Sequence, residues 1–389
     1  MDDISKVRRL LANNYVRANV PSDPVIERLD KATIKPITQM VLNDVGAVVQ
    51  DSCVFCSDRS VCKVSLHLAA NLSHDNHPGA YPNENQIRDM NGTHLYAVVL
   101  IGHFGHFLVE SLSRLWAFRE LSPRPESVIF VQGWTLLPGS IDQTIPHFAE
   151  EIFTSLGISS PVRVMNDPTR VETLMVPSQL FGFHCAPGHP IFRSFVHRLR
   201  GLGSPEEVAL NKVYVSRSRI SRAKAGGILC EDVLEKILSD YGYLIMFPEE
   251  LPIYKQLEVY NRARHIIFAE GSALHLFGFV CRPEQDVAII NRRPTGLPFA
   301  MKQLRHFGST KVSALDVIDG YVFRDSDRGT PEQQLTAFCK LDFTRLANAL
   351  QCLGFIPDQR RWRVPTKREF EEHAKLVVSS PGAHAVGRP

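Results

Sequence analysis

Two groups of residues combine side-chain types and spacings that can do chemistry. The first lies in Gly102-His103-Phe104-Gly105-His106-Phe107-Leu108-Val109-Glu110, followed by Arg114. His106, Glu110 and Arg114 recur at intervals of four, which stacks side chains on one helix face. Imidazole beside carboxylate is a pairing suited to general acid–base catalysis, because imidazole titrates near neutrality. His103 is either a second wall of such a site or a turn residue. The bland alternative is a solvated face with an ordinary Glu110–Arg114 pair, which contributes a few tenths of a kcal/mol.

The second group is suited to binding an anion. Ser216-Arg217-Ser218-Arg219 places guanidinium groups, rigid forks of donors, after an apolar run. Phe247-Pro248-Glu249-Glu250-Leu251, with Gln256 beyond it, is a polar turn suited to a ribose or base edge. Glu270-Gly271-Ser272-Ala273-Leu274-His275 joins an apolar run to a helical one through small residues. They admit a ligand close to the backbone, and the helix start offers free N–H groups and a partial positive charge. A capped helix with nothing bound is the alternative, since serine is a good cap.

The elements that must position these groups follow from the apolar pattern. His94–Ile101, Ser127–Gln132 and Arg170–Pro177 read as strands, Gly105–Arg119 and Pro190–Leu202 as helices. In Gly105–Arg119, Phe107, Leu108, Ser111, Leu112, Leu115 and Trp116 share one arc, and His106, Glu110, Ser113, Arg114 and Ala117 the other. Beyond residues 201–205 strands and helices alternate: Lys212–Ser216, Glu231–Asp240, Tyr243–Phe247, Ile253–Ala263, His265–Ala269, Ser272–Val280 and Asp286–Asn291. That alternation predicts a parallel sheet wrapped by helices, whose ligands collect beyond the carboxyl ends of its strands. Phe338–Leu353 and Lys367–Val377 read as helices, and the first ninety residues as loops with short strands. Three parts are expected: 1–203, 204–330, and 331–389 as helices and a tail.

Composition excludes several function classes. With Lys+Arg 44 against Asp+Glu 41, nothing calls for a nucleic-acid partner. No secretory signal and no apolar run of spanning length is evident, so the expected location is cytoplasmic, with peripheral membrane contact left open. Scattered cysteines fit a reduced compartment. Cys53, Cys56 and Cys62 with His67 nearby raise the question of a zinc site, but no second Cys-x-x-Cys follows. Asp325-Ser326-Asp327 could hold a metal in a metal-dependent transferase, against the reading of a solvated charged loop; His74-Asp75-Asn76-His77 reads as an exposed loop. A nucleotide-dependent oxidoreductase expects Gly-x-Gly-x-x-Gly, which neither strand end supplies.

Taken in order over roughly Leu95 to Arg293, the His103–Glu110 segment, Val213-Tyr214-Val215-Ser216-Arg217, the Phe247–Leu251 turn with Gln256, and Glu270–His275 resemble glycosyltransferase family 61. The likeness is closest to bacterial members grouped with capsular or surface polysaccharide synthesis. The resemblance implies an α/β protein of GT-B type, two Rossmann-like domains facing across a cleft, the donor on the second and the acceptor mainly on the first. It implies an inverting transferase that takes a nucleotide sugar and a glycan or lipid-linked glycan acceptor, with no metal or other cofactor. His106 is then the expected base, with Glu110 orienting it or itself the base, and His103 and Arg114 lie on the acceptor side. Arg217, Arg219 and the Gly271, Ser272, Ala273 and Leu274 backbone are expected at the diphosphate, with His275 beside them and Glu250 and Gln256 near the ribose or sugar. Glu270 stands where many relatives have His, so no donor contact carries over to it. A non-catalytic binding module of the same fold is the alternative.

Overall fold

The computed structural model describes residues 23–37, 40–42, 48–50, 52–67, 80–132, 145–183, 185, 187–201, 211–220, 225–293, 297–309, 311–325 and 336–379. The chain divides into two compact units, Met1–Arg198 and Leu199–Pro389. Residues 336–379 belong to the second unit.

The first unit is built on a six-stranded sheet of β1 (Ile26–Lys35), β4 (Cys53–Phe55), β5 (Arg88–Leu100), β6 (Ser127–Gln132), β7 (Val162–Met165) and β8 (Thr169–Pro177). Its order is β4-β1-β8-β5-β6-β7, parallel from β8 to β7, with β1 antiparallel to both β8 and β4. Two short strands, β2 (Met40–Leu42) and β3 (Val48–Gln50), pair separately. Leu95 to Val99 and Val128 to Val131 are fully buried, as continuous apolar runs in a parallel sheet must be. β5 carries a bulge between Tyr96 and Val98, and Val98 has a φ of 86°. A β-branched residue there is a backbone outlier, one strand-end away from the His103–Glu110 segment.

The second unit carries β9 (Lys212–Val215), β10 (Leu244–Met246), β11 (His265–Ala269), β12 (Asp286–Ile290) and β13 (Lys311–Leu315), all parallel, in the order β10-β9-β11-β12-β13. Helices Glu231–Asp240, Ile253–Arg262, Ala273–Val280 and Leu297–Phe307 connect them. Glu231–Asp240 buries Val233, Leu234, Ile237 and Leu238, the spacing of a single apolar stripe. The sequence-order reversal falls between β9 and β11, the switch point where sheets of this kind hold ligands.

The helix expected over Phe338–Leu353 is instead β15 (Phe338–Leu341) followed by helix Phe343–Cys352. Asp342 starts that helix by accepting from the Arg345 N–H, while β15 pairs antiparallel with β14 (Ile318–Val322). Gly226 permits close passage beside β15, since a Cβ there would lie 2.1 Å from the Ala337 carbonyl. Among the described residues no helix is long and apolar enough to cross a membrane.

Candidate active site

The segment after β5 is not the regular helix its spacing suggests. A turn at Phe104–His106 opens at once into a π turn over Phe107–Ser111, where the Leu112 N–H reaches the Phe107 carbonyl. The extra residue rotates Glu110 inward, a local device often found at functional sites. The Ser111 hydroxyl accepts from the Ile101 N–H at 3.0 Å and fixes the segment to the strand end.

Glu110 is buried between two imidazoles. His106 Nδ1 lies 2.6 Å from one carboxylate oxygen, and His67 Nε2 lies 3.4 Å from the other. Burial alone would raise this carboxyl, but hydrogen bonds from His106 and His67 outweigh it and hold the group at about 2. An ionised carboxylate only accepts, so His106 Nδ1 carries a proton, which in the neutral tautomer leaves the lone pair on Nε2. His106 is about one-third exposed, with the rings of His103 and Phe183 at 5.2 and 5.3 Å. His103 is exposed and faces the His106 N–H at 3.5 Å, so it sits beside His106 at the start of the turn.

Arg114 does not share that face, and the Glu110–Arg114 pair of the solvated-face alternative does not form. Arg114 is fully buried, and it donates to the Val64 carbonyl at 2.6 Å, the Leu66 carbonyl at 2.8 Å and the Pro177 carbonyl. Three carbonyls converging on the buried guanidinium need a cation with a fork of donors, which explains why arginine is inside. By tying down Val64 and Leu66 it fixes the chain that delivers His67.

The cysteines do not complete a zinc set. The Cys62 thiol faces Glu27 Oε2 at 3.2 Å while His67 turns to Glu110, and no three His, Cys, Asp or Glu side chains cluster to hold a metal among the described residues. Asp325 is exposed, and Asp327 and His74–His77 lie outside the described residues.

In the second unit, Arg217 and the Gly271 turn meet at the switch point. A Cβ on Gly271 would lie 2.1 Å from Arg217 Nη1, so glycine is what allows the guanidinium to rest on that backbone. Glu231 secures the β9 end by accepting from the Tyr214 hydroxyl at 3.0 Å, the Ser216 hydroxyl at 3.1 Å and the Arg217 N–H at 2.9 Å. Arg219 lies over the half-buried Phe247 ring at 3.6 Å and pairs at the surface with Glu250. Gln256 is buried and donates to the Pro248 and Leu251 carbonyls at 2.8 and 2.9 Å, so its amide holds the Phe247–Leu251 turn. Ser272, Ala273 and Leu274 open the helix Ala273–Val280, and His275 Nδ1 lies 2.8 Å from Gln303 Oε1.

Glu270 is buried against Arg292 and Arg293, two residues that the sequence reading passed over. Arg293 grips its carboxylate at 2.9 to 3.1 Å, and Arg292 Nε donates to its backbone carbonyl at 3.0 Å. The signal was a basic pair just past β12, at the carboxyl end of the sheet.

Residues 104–288 match the family model described as Glycosyltransferase 61. Over that stretch the chain is similar to glycosyltransferase family 61, and the match runs from the His106 turn into β12. No curated protein matches the chain.

Proposed function

We propose that the protein transfers a sugar from a nucleoside-diphosphate donor to a hydroxyl of a glycan or lipid-linked glycan, with inversion and without a metal. His106 is the base. Its Nε2 takes the proton of the acceptor hydroxyl as that oxygen bonds to the anomeric carbon, and the bond from that carbon to the donor phosphate breaks. The negative charge left on the diphosphate is met by Arg217 and the N–H groups that open the helix at Ala273, with Arg219 and His275 at the margin.

The main support is the seating of Glu110. A carboxylate at 2.6 Å from His106 Nδ1, anchored from behind by His67, orients the ring and stabilises the cation formed on proton uptake. Glu110 is committed to two imidazoles, which favours His106 over Glu110 as the base. The match to the Glycosyltransferase 61 family model supports the transfer itself. The GT-B arrangement, two Rossmann-like domains across a cleft, and a role in cytoplasmic polysaccharide assembly belong to the same proposal.

The test is a panel of nucleotide sugars screened for a rise in melting temperature, then product analysis with the stabilising donor. A donor that stabilises the protein and gives an inverted product insensitive to EDTA is expected. Loss of activity in EDTA with recovery in manganese contradicts the metal-free step; retention at the anomeric carbon contradicts the mechanism.

A further inference from the structure

Two guanidinium groups meet Glu270 beside the Gly271 turn. Arg292 is 3% exposed, its Nε is held by the Glu270 backbone carbonyl, and its Nη1 is buried without a hydrogen-bond partner among the described residues. Arg293 grips the Glu270 carboxylate, and Arg217 rests on Gly271 with its own Nε buried and unpartnered. Burial pushes Arg292 down to about 9, and the charge of Arg217 adds to that push. Three cations thus face Glu270, with Glu231 as the other buried carboxylate beside Arg217, and burial raises Glu231 toward its neutral form. A buried donor left unmade costs more than it contributes once paired, and like charges brought together require a counter-ion.

We infer that Arg292 is a further anion-binding residue of the switch-point site, held in place by Glu270, and that its free Nη1 donates to a phosphate oxygen of a diphosphate-bearing ligand. Glu270 acts here as a resident counter-ion: it positions Arg292 and Arg293 and offsets part of their charge. This rests on the reading of the second unit as the donor side.

The sign of the effect separates binding from mere structural pairing. Replacing Glu270 by Gln keeps the shape and removes one negative charge, so anion affinity rises even as the ion pair is lost. Titration calorimetry of the full chain against inorganic pyrophosphate, uridine diphosphate and guanosine diphosphate reads this directly, with circular dichroism reporting the fold. Glu270→Gln is expected to bind pyrophosphate roughly fivefold tighter. Arg292→Gln is expected to lose about tenfold, with much of the loss restored in Arg292→Lys. Unchanged or weaker binding by folded Glu270→Gln, or Arg292→Gln within twofold of wild type, overturns the inference. If Arg217→Gln still weakens nucleotide binding in that case, the donor reading survives. If the wild-type chain binds none of the three probes, the donor reading itself fails. Pyrophosphate binding with these dependences, but no nucleotide binding, supports the anion site and identifies a free phosphate compound as its occupant.

Discussion

Glu110→Gln perturbs the centre of the proposed acid–base site without needing a substrate. The carboxyl falls from its ordinary 4.5 to about 2 in the folded protein, because His106 and His67 outweigh its burial. A depressed folded value contributes stability that is fully present above about pH 4.5 and is lost as pH falls toward about 2. That difference corresponds to about 3 kcal/mol at neutral pH, of which about 1 kcal/mol remains at pH 3. Glutamine has no such titration. Wild type should therefore exceed Glu110→Gln by about 2 kcal/mol more at pH 7 than at pH 3. Urea unfolding followed by far-ultraviolet circular dichroism, at half-unit steps between these limits, gives the two curves. A gap that stays constant across the range would refute the claim that the two imidazoles hold an ionised Glu110.

Other perturbations bear on separate parts of the account. Arg114→Met leaves the Val64, Leu66 and Pro177 carbonyls without their donor and should cost about 3 kcal/mol, a fall in melting temperature of roughly 10 °C by calorimetry. Gly271→Ala puts a methyl where Arg217 Nη1 lies, so nucleotide affinity should fall about tenfold by calorimetry while the far-ultraviolet spectrum holds. Lys31 is exposed in β1 with a φ of 52°, and Lys31→Asn, better suited to that conformation, should raise stability by about 0.5 kcal/mol in urea unfolding.

The second unit was legible because its strands are unbroken apolar runs separated by amphipathic helices, a pattern set by neighbouring residues. His265–Ala269 and Glu231–Asp240 appear where that pattern places them. Contacts distant in sequence were not legible. β1 carries a mixed sequence, IERLDKATIK, and becomes a strand by pairing with β8 and β4. β15 read as helix because its apolar residues continue into one, and pairing with β14 decides otherwise. In the site, His106 and Glu110 were visible as a four-residue spacing, but the π turn that buries Glu110 leaves no local signature. Arg114 fell on the polar phase of an ideal helix, and nothing nearby reveals the three carbonyls that draw it inside. His67 stood out only for its nearness to cysteines, and its partner is set by the fold.

The central claim is that His106 removes the acceptor proton while donor binding resides elsewhere. Single-turnover transfer from a stabilising nucleotide sugar, at saturating donor, compares wild type with His106→Ala most directly. The account predicts a rate lower by about 10² to 10⁴ with donor affinity within twofold of wild type. Transfer at the wild-type rate by His106→Ala would contradict it.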